Sequence, residues 1–312
     1  MISVVKYEEK HKSLWDEFIS KSKNGIFLFY RDYMEYHSDR FTDFSILFFD
    51  DDRLTAVMPA NISEGILYSH GGLTFGGVVS DRKTKTPMML KIFDALTDHL
   101  KRRGIRKIVY KSIPYIYHDV PAEEDLYALF VHNARLFRRD VSSAICMQER
   151  VAFSKGRKWT VKKSKGSGLD VKRSYDFGTF MAIEKATLQQ KHGIDPTHTT
   201  DEIQLLASRF PENVKLFGAH KDETMLAGVI VYESKSVVHT QYIATTDEGK
   251  KEYAVDSILD LLINGYYAEK KYFDFGISTE ENGFHLNEGL IRFKEEFGAR
   301  AVVHDFYELD IV

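Results

Sequence analysis

The sequence predicts an α+β protein made of two similar domains, residues 1–150 and 151–312, each a mostly antiparallel twisted sheet flanked by helices. Three observations predict it. The order strand, strand, strand, helix, strand occurs twice along the chain. Apolar residues at equivalent places recur at one offset: Leu54 matches Leu226 and Ile66 matches Val238, each 172 positions on. The 312 residues are 43% apolar and 29% charged, the composition of a folded chain long enough for two domains.

The first strand covers residues 44–49 and is closed by the turn Asp50-Asp51-Asp52. Residues 54–60 return as a second strand, and after Ser63-Glu64-Gly65 residues 66–69 make a third. A helix over 87–103 follows, with Pro87 in its first turn and Met89, Phe93, Leu96 and Leu100 on one face. Gly104 stops it, and 106–110 is a fourth strand. The second half gives strands at 215–219, 226–232 and 237–243, with turns at 221–223 and 234–236. Its helix is expected over 253–270, burying Val255, Ile258, Leu262 and Tyr266, and strand 271–275 closes the unit. Asn287 is placed to cap a helix ending at Gly298, with Leu290, Phe293 and Phe297 on its buried face. A last strand near 302–309 completes one domain or the other.

This repeated unit resembles the core of the GNAT acetyltransferase superfamily, and the tandem pairing resembles the Fem-type, or FemAB-like, acyl- and aminoacyl-transferases. The likeness spans most of the chain and is strongest over 150–305, where residues 180–210 precede the strands as helices. The C-terminal run Gly276-Ile277-Ser278, Asn287-Glu288-Gly289-Leu290 and Phe293-Lys294-Glu295-Glu296-Phe297-Gly298-Ala299 looks like the family's closing motif. The resemblance implies a lysine near the transferred acyl group, and Lys294 is the matching residue, placed to stabilise an oxyanion or to snorkel at the core's rim. It also implies that the loop before the second helix presents amides to the pyrophosphate of coenzyme A. The stretch concerned, 245–254, makes Thr246, Gly249, Lys250 and Lys251 the cosubstrate-binding candidates. It lacks the Gln/Arg-x-x-Gly-x-Gly/Ala pattern of that loop, as does the first half's 71–77.

Other residues carry chemistry by type and setting. Asp274, at a strand end, is a candidate base or a turn cap, and Tyr242 is a candidate acid or a sheet tyrosine. Four glycines in 71–77 permit close backbone approach, so His70, Gly71 and Gly72 either contact substrate or form a tight connection with a surface histidine. His285 and Asn287 are further candidates for polar substrate contacts. Between 155 and 173 eight Lys and Arg face one Asp in a chain of net charge −3. There Arg157 and Lys158 suit a phosphate-bearing substrate, or the helix is simply a solvated basic face, with Trp159 placed to stack a base or, as is usual for a tryptophan, to cap the core. The twelve histidines show no metal-ligand spacing, so no metal is expected. The lone Cys146 forms no internal disulfide and is expected to be structural. Nucleophile-elbow, Walker and dinucleotide fingerprints are missing.

The expectation is an N-acyltransferase moving an acetyl or other short acyl group to an amine, such as an amino sugar or peptide of cell-envelope biosynthesis. Acetyl-CoA or another acyl-CoA is the first donor, as a cosubstrate and not as a tightly bound cofactor. An aminoacyl-tRNA donor and a non-catalytic binding protein that kept the fold are the alternatives. A small-molecule or nucleotide-sugar acceptor is the expected partner, with tRNA behind it. The acidic N-terminal residues Glu8 and Glu9, short apolar runs and single cysteine lead to a soluble cytoplasmic protein without a membrane span.

Overall fold

The structure, a computed structural model, describes residues 1–311. Its α+β chain forms two compact units. The first contains Met1–Asp140, Thr279–His285 and the chain from Val303; the second contains Val141–Ser278 and Leu286–Val302. Where the sequence suggests one boundary at 150, the chain divides at 140/141 and returns twice to the first unit, so the last strand contributes chiefly to the first.

In the first unit, β1 (Ile2–Lys6), β2 (Ile46–Asp50) and β3 (Arg53–Met58) pair antiparallel in that order, and Val79–Ser80 adds to β3. A second layer pairs β4 (Asn61–Ser63) with β5 (Ile66–Tyr68), and β5 runs parallel to β6 (Lys107–Lys111). The connection between β5 and β6 carries α1 (Thr86–Lys101), as a parallel crossover requires. The four residues placed on its apolar face, Met89, Phe93, Leu96 and Leu100, are all buried. Gly104, at φ +68°, ends the turn beyond α1 in a conformation that other residues adopt only with strain.

The second unit begins within β7 (Arg135–Cys146) and continues through α2 (Lys155–Lys165), β8 (Asp170–Ser174), α3 (Phe177–His192) and α4 (Thr200–Arg209). Three long strands follow: β9 (Val214–Lys221), β10 (Thr224–Glu233) and β11 (Val237–Thr245), antiparallel neighbours in that order. The short α5 (Asp247–Lys251) and α6 (Ala254–Leu261) lead to β12 (Tyr272–Ile277), which is parallel to β11 and antiparallel to β7. After α7 (Glu288–Glu296) comes β13 (Arg300–Asp310), whose residues 306–310 pair with β6 in the first unit.

β10 is buried along nearly its whole length because both faces of this sheet are covered. α6 packs its Ala254, Ile258 and Leu259 on the face carrying Phe217, Ala227 and Val229. α3 covers the other face, where the ring of Phe180 lies on Gly228. The helix expected over 253–270 is interrupted. Tyr253 sits at φ +54° between α5 and α6, and a π turn over Leu262–Tyr266 follows α6. A π turn adds one residue to the helical cycle, so the apolar face shifts by one position. Tyr267 is buried and Tyr266 is exposed, the reverse of the periodic expectation.

A methyl group at Gly228 would stand 2.3 Å from Phe180 Cδ2. Gly228→Ala therefore lowers stability by about 1–3 kcal/mol, the usual cost of overpacking. Gly156→Ala on α2 meets no atom closer than 3.8 Å and raises stability by up to ~1 kcal/mol through helix propensity. Urea denaturation of the two variants distinguishes the opposite signs.

Candidate functional site

β11 and β12 pair only from Val237↔Tyr272 to His239↔Asp274; beyond those residues no ladder joins them. Two local irregularities turn them apart. In β11 the register with β10 shifts at Ile230/Val231, leaving Gln241 as an extra residue. In β12 the register with β7 shifts between Asp274 and Ile277, around Gly276 at φ +77°. The strand ends therefore part, and ionisable side chains sit where the pairing stops.

Asp274 has no exposed surface. Its Oδ1 accepts hydrogen bonds from Ser142 Oγ (2.6 Å) and the Gly276 N–H (3.0 Å), and its Oδ2 lies 2.9 Å from His239 Nδ1. A carboxylate at Nδ1 holds the proton there and leaves Nε2 as the basic nitrogen. Gly276 makes room for this ring, since a Cβ there would come within 3.0 Å of His239 Cε1.

Lys294 reaches the same place from α7. Asn287 caps that helix, its Oδ1 accepting from the Leu290 N–H at 3.0 Å. The Lys294 side chain is only 4% exposed, deeper than a rim position, and its ammonium donates to the carbonyls of Gly276 (2.8 Å) and Ile277 (2.7 Å). Burial pulls its pKa from 10.5 down to about 8, against the opposing pull of the Asp274 charge. One centre thus holds an oriented imidazole and a cation whose third N–H is still to be used.

Residues 156–294 match a protein-family model described as "Acetyltransferase (GNAT) domain". Across nearly the whole chain the structure is similar to FemX (TM-score 0.68, 12% identity, 97% of this chain and 96% of that one). It is also similar to L-PGS from Bacillus licheniformis (TM-score 0.61, 10% identity, 96% and 91%). A tandem GNAT protein from the clavulanic acid biosynthesis pathway follows (TM-score 0.53, 9% identity, 100% and 99%). The fold is a tandem GNAT fold of the Fem-like kind. No curated protein matches the chain in sequence.

Within the second GNAT unit the other candidates scatter. The Tyr242 hydroxyl lies 2.6 Å from His198 Nδ1 and accepts from the His198 N–H (3.2 Å), and burial raises its pKa. It fastens β11 to the segment between α3 and α4. Thr246 caps α5, its hydroxyl accepting from the Gly249 N–H at 3.0 Å. Gly249 is pressed on β10, where a Cβ would meet the Leu226 carbonyl oxygen at 2.4 Å. Lys250 is paired with Asp247 at 2.6 Å, while Lys251 is exposed. Thr246, Asp247 and Lys250 do border a cavity of about 450 Å³ beneath α3. Yet the one glycine amide is already used and an acid stands beside it, so this loop does not fit a pyrophosphate cradle.

Arg157 is a structural clamp, paired with Asp256 (2.8 Å) and Glu296 (3.0 Å) and lying over the rings of Phe293 and Phe297. Lys158 is exposed. Trp159, expected to cap the core, is 55% exposed, because the core-facing side of α2 is taken by Val161 and Ser164. Leu290 is 40% exposed, not buried: it lies in the first turn of α7, and the buried face begins with Lys294. Cys146 is free and exposed.

In the first GNAT unit, the segment 69–77 is folded onto its own neighbours. The Ser69 N–H donates to the Val109 carbonyl and the Gly76 N–H to that of Lys111, so this segment covers the end of β6. The Gly71 N–H donates to Asn61 Oδ1 at 2.6 Å, and a Cβ at Gly72 would strike the His37 ring. Half-buried Lys111 donates to the carbonyls of His70, Gly71 and Leu73, and desolvation brings its pKa to about 8. His70 is buried instead of lying at the surface, and desolvation lowers its pKa to about 3. The tight connection is therefore the reading that this geometry fits. His285 is exposed. No group of three or more His, Cys, Asp or Glu among the described residues is placed to hold a metal ion.

His239 and Ser142 are the residues that sequence reasoning missed. The signal was present: His239 follows Val237-Val238 and Asp274 lies in Tyr272-Phe273-Asp274-Phe275, both polar residues inside apolar strands. Buried polar groups require partners, and adjacent parallel strands supply each to the other.

The titration of Lys294 gives a signed prediction. The folded amine releases its proton near pH 8 and the unfolded one near its ordinary 10.5. Between these values the unfolded chain binds more protons, so folding stability contributed by this group rises with pH. Relative to Lys294→Met, the wild type gains stability from pH 8 to 10.5 in denaturant titrations. A flat difference over that window contradicts the buried ammonium.

Proposed function

We propose that the second unit is an N-acyltransferase, moving an acyl group from an activated ester or thioester to a primary amine at the gap between β11 and β12. The observation that carries this reading is the Asp274–His239 pair beside buried Lys294 where the strands part. The amine nitrogen attacks the acyl carbonyl carbon, and His239 Nε2 takes the amine proton as the N–C bond forms. Asp274 holds the opposite nitrogen and stabilises the imidazolium. Lys294, in a low-dielectric setting, offers its remaining N–H to the oxyanion. Collapse breaks the C–S or C–O bond, and the imidazolium returns the proton to the leaving group.

The GNAT fold generally uses acyl-CoA, which makes a short acyl-CoA the first donor. The engaged Gly249 amide favours a second donor of the same chemistry, the aminoacyl ester of a tRNA. The Fem-type likeness supports an acceptor amine on a cell-envelope precursor, an amino sugar or a peptide. The covered end of β6 in the first unit supports a single active cleft. Among the described residues no helix is long and apolar enough to cross a membrane.

Replacing the partly exposed His239 by Gln lowers kcat by about 10²–10⁴, the usual contribution of a general base, with a melting temperature within a few degrees of wild type. Initial rates with acetyl-CoA and with aminoacyl-tRNA, against a panel of amines, read this directly. An unchanged rate removes His239 from the mechanism, and no turnover with either donor turns the reading toward a binding protein. The pH profile supplies a second test. Lys294 loses its charge as pH rises through about 8, so the wild-type rate falls there. Lys294→Arg, which stays charged, moves that fall to higher pH.

A further inference from the structure

α2 carries charge that its fold does not use. Lys155, Lys158, Lys162 and Lys165 recur at three- and four-residue steps and so share one side of the helix. Like charges at this spacing repel one another. Lys165 is paired with Asp260 at 2.6 Å, whereas among the described residues no carboxylate lies within ion-pair distance of Lys158 or Lys162.

Lys158, Lys162 and Lys165 border a cavity of about 520 Å³, within the usual range of ligand sites. Arg150 joins them at its edge, so four cations stand against the single carboxylate of Asp260. The remaining lining is largely hydrocarbon, including Phe153 and Val161. Little is left there to read a nucleobase. Asn264, the one amide in the lining, accepts from Arg150 and donates to Asp260 at 2.6 Å, leaving both ends engaged.

A cationic edge around a hydrocarbon floor is complementary to an amphiphilic anion. We propose that this cavity binds a phosphorylated lipid, its phosphate between Lys158, Lys162 and Arg150 and its hydrocarbon chain along Phe153 and Val161. The inference does not rest on acyl transfer, because none of these residues belongs to the gap between β11 and β12.

The test is a chain-length series of methyl, butyl, hexyl and octyl phosphate, titrated calorimetrically into the intact protein below micelle-forming concentrations. Inorganic phosphate and uncharged octyl glucoside serve as the single-feature probes, with a short oligoribonucleotide as competitor. Affinity is expected to rise about fourfold per added methylene until the floor is covered. Inorganic phosphate and octyl glucoside should each bind at least tenfold more weakly than octyl phosphate. Lys158→Glu with Lys162→Glu should weaken octyl phosphate at least tenfold without lowering the melting temperature. Affinity independent of chain length, equal binding of octyl glucoside, or displacement of octyl phosphate by lower concentrations of oligoribonucleotide overturns the proposal. The wild-type series decides the matter even if the double variant does not fold.

Discussion

Removing a carboxylate from water costs several kcal/mol unless the protein supplies replacements for its hydration, and Asp274 is wholly removed. The replacements come from three separate elements: the Ser142 hydroxyl of β7, the Gly276 amide of β12 and the His239 ring of β11. Meeting that demand constrains everything nearby. β12 bulges so that its own amide turns back to the carboxylate, and the bulge directs the Gly276 and Ile277 carbonyls at Lys294. The same turn ends the ladder with β11 and opens the sheet at the residue whose imidazole is held.

The two units handle a similar strand end differently. Half-buried Lys111 in the first and buried Lys294 in the second both bind carbonyls of glycine-containing segments, and both have a pKa drawn down to about 8 by desolvation. In the first unit the carbonyls belong to the segment 69–77, which hydrogen-bonds to the end of β6. In the second they belong to β12 itself, and beyond Asp274 its edge toward β11 is left without a ladder. A common framework therefore holds a closed strand end in one unit and an open one in the other.

Much of this was legible in the sequence because periodicity and punctuation are local. The 172-residue offset marked the repeated strands, Asn287 marked the start of α7, and the apolar faces of α1 and α6 followed from their spacing. Lys294 stood out through the Phe-Lys resemblance. What escaped depends on distant contacts. His239 and Asp274 are 35 residues apart and acquire meaning only when β11 and β12 pair in register. Arg157 looked like a ligand for phosphate, but Asp256 and Glu296, remote in sequence, claim it. Trp159 looked like core because tryptophans usually are, whereas α2 turns a different side inward. The π turn after α6 displaced the apolar face by one residue, a shift that no regular period encodes.

The central claim is that buried Asp274 holds the His239 proton on Nδ1, so that Nε2 is the free base in the open strand gap. The ring ¹⁵N chemical shifts of His239, measured by NMR in the neutral form and repeated in Asp274→Asn, test it most directly. A protonated Nδ1 and an unprotonated Nε2 in the wild type, with that preference lost in the variant, is the predicted result. A proton on Nε2, or a tautomer indifferent to the Asp274 substitution, would contradict it.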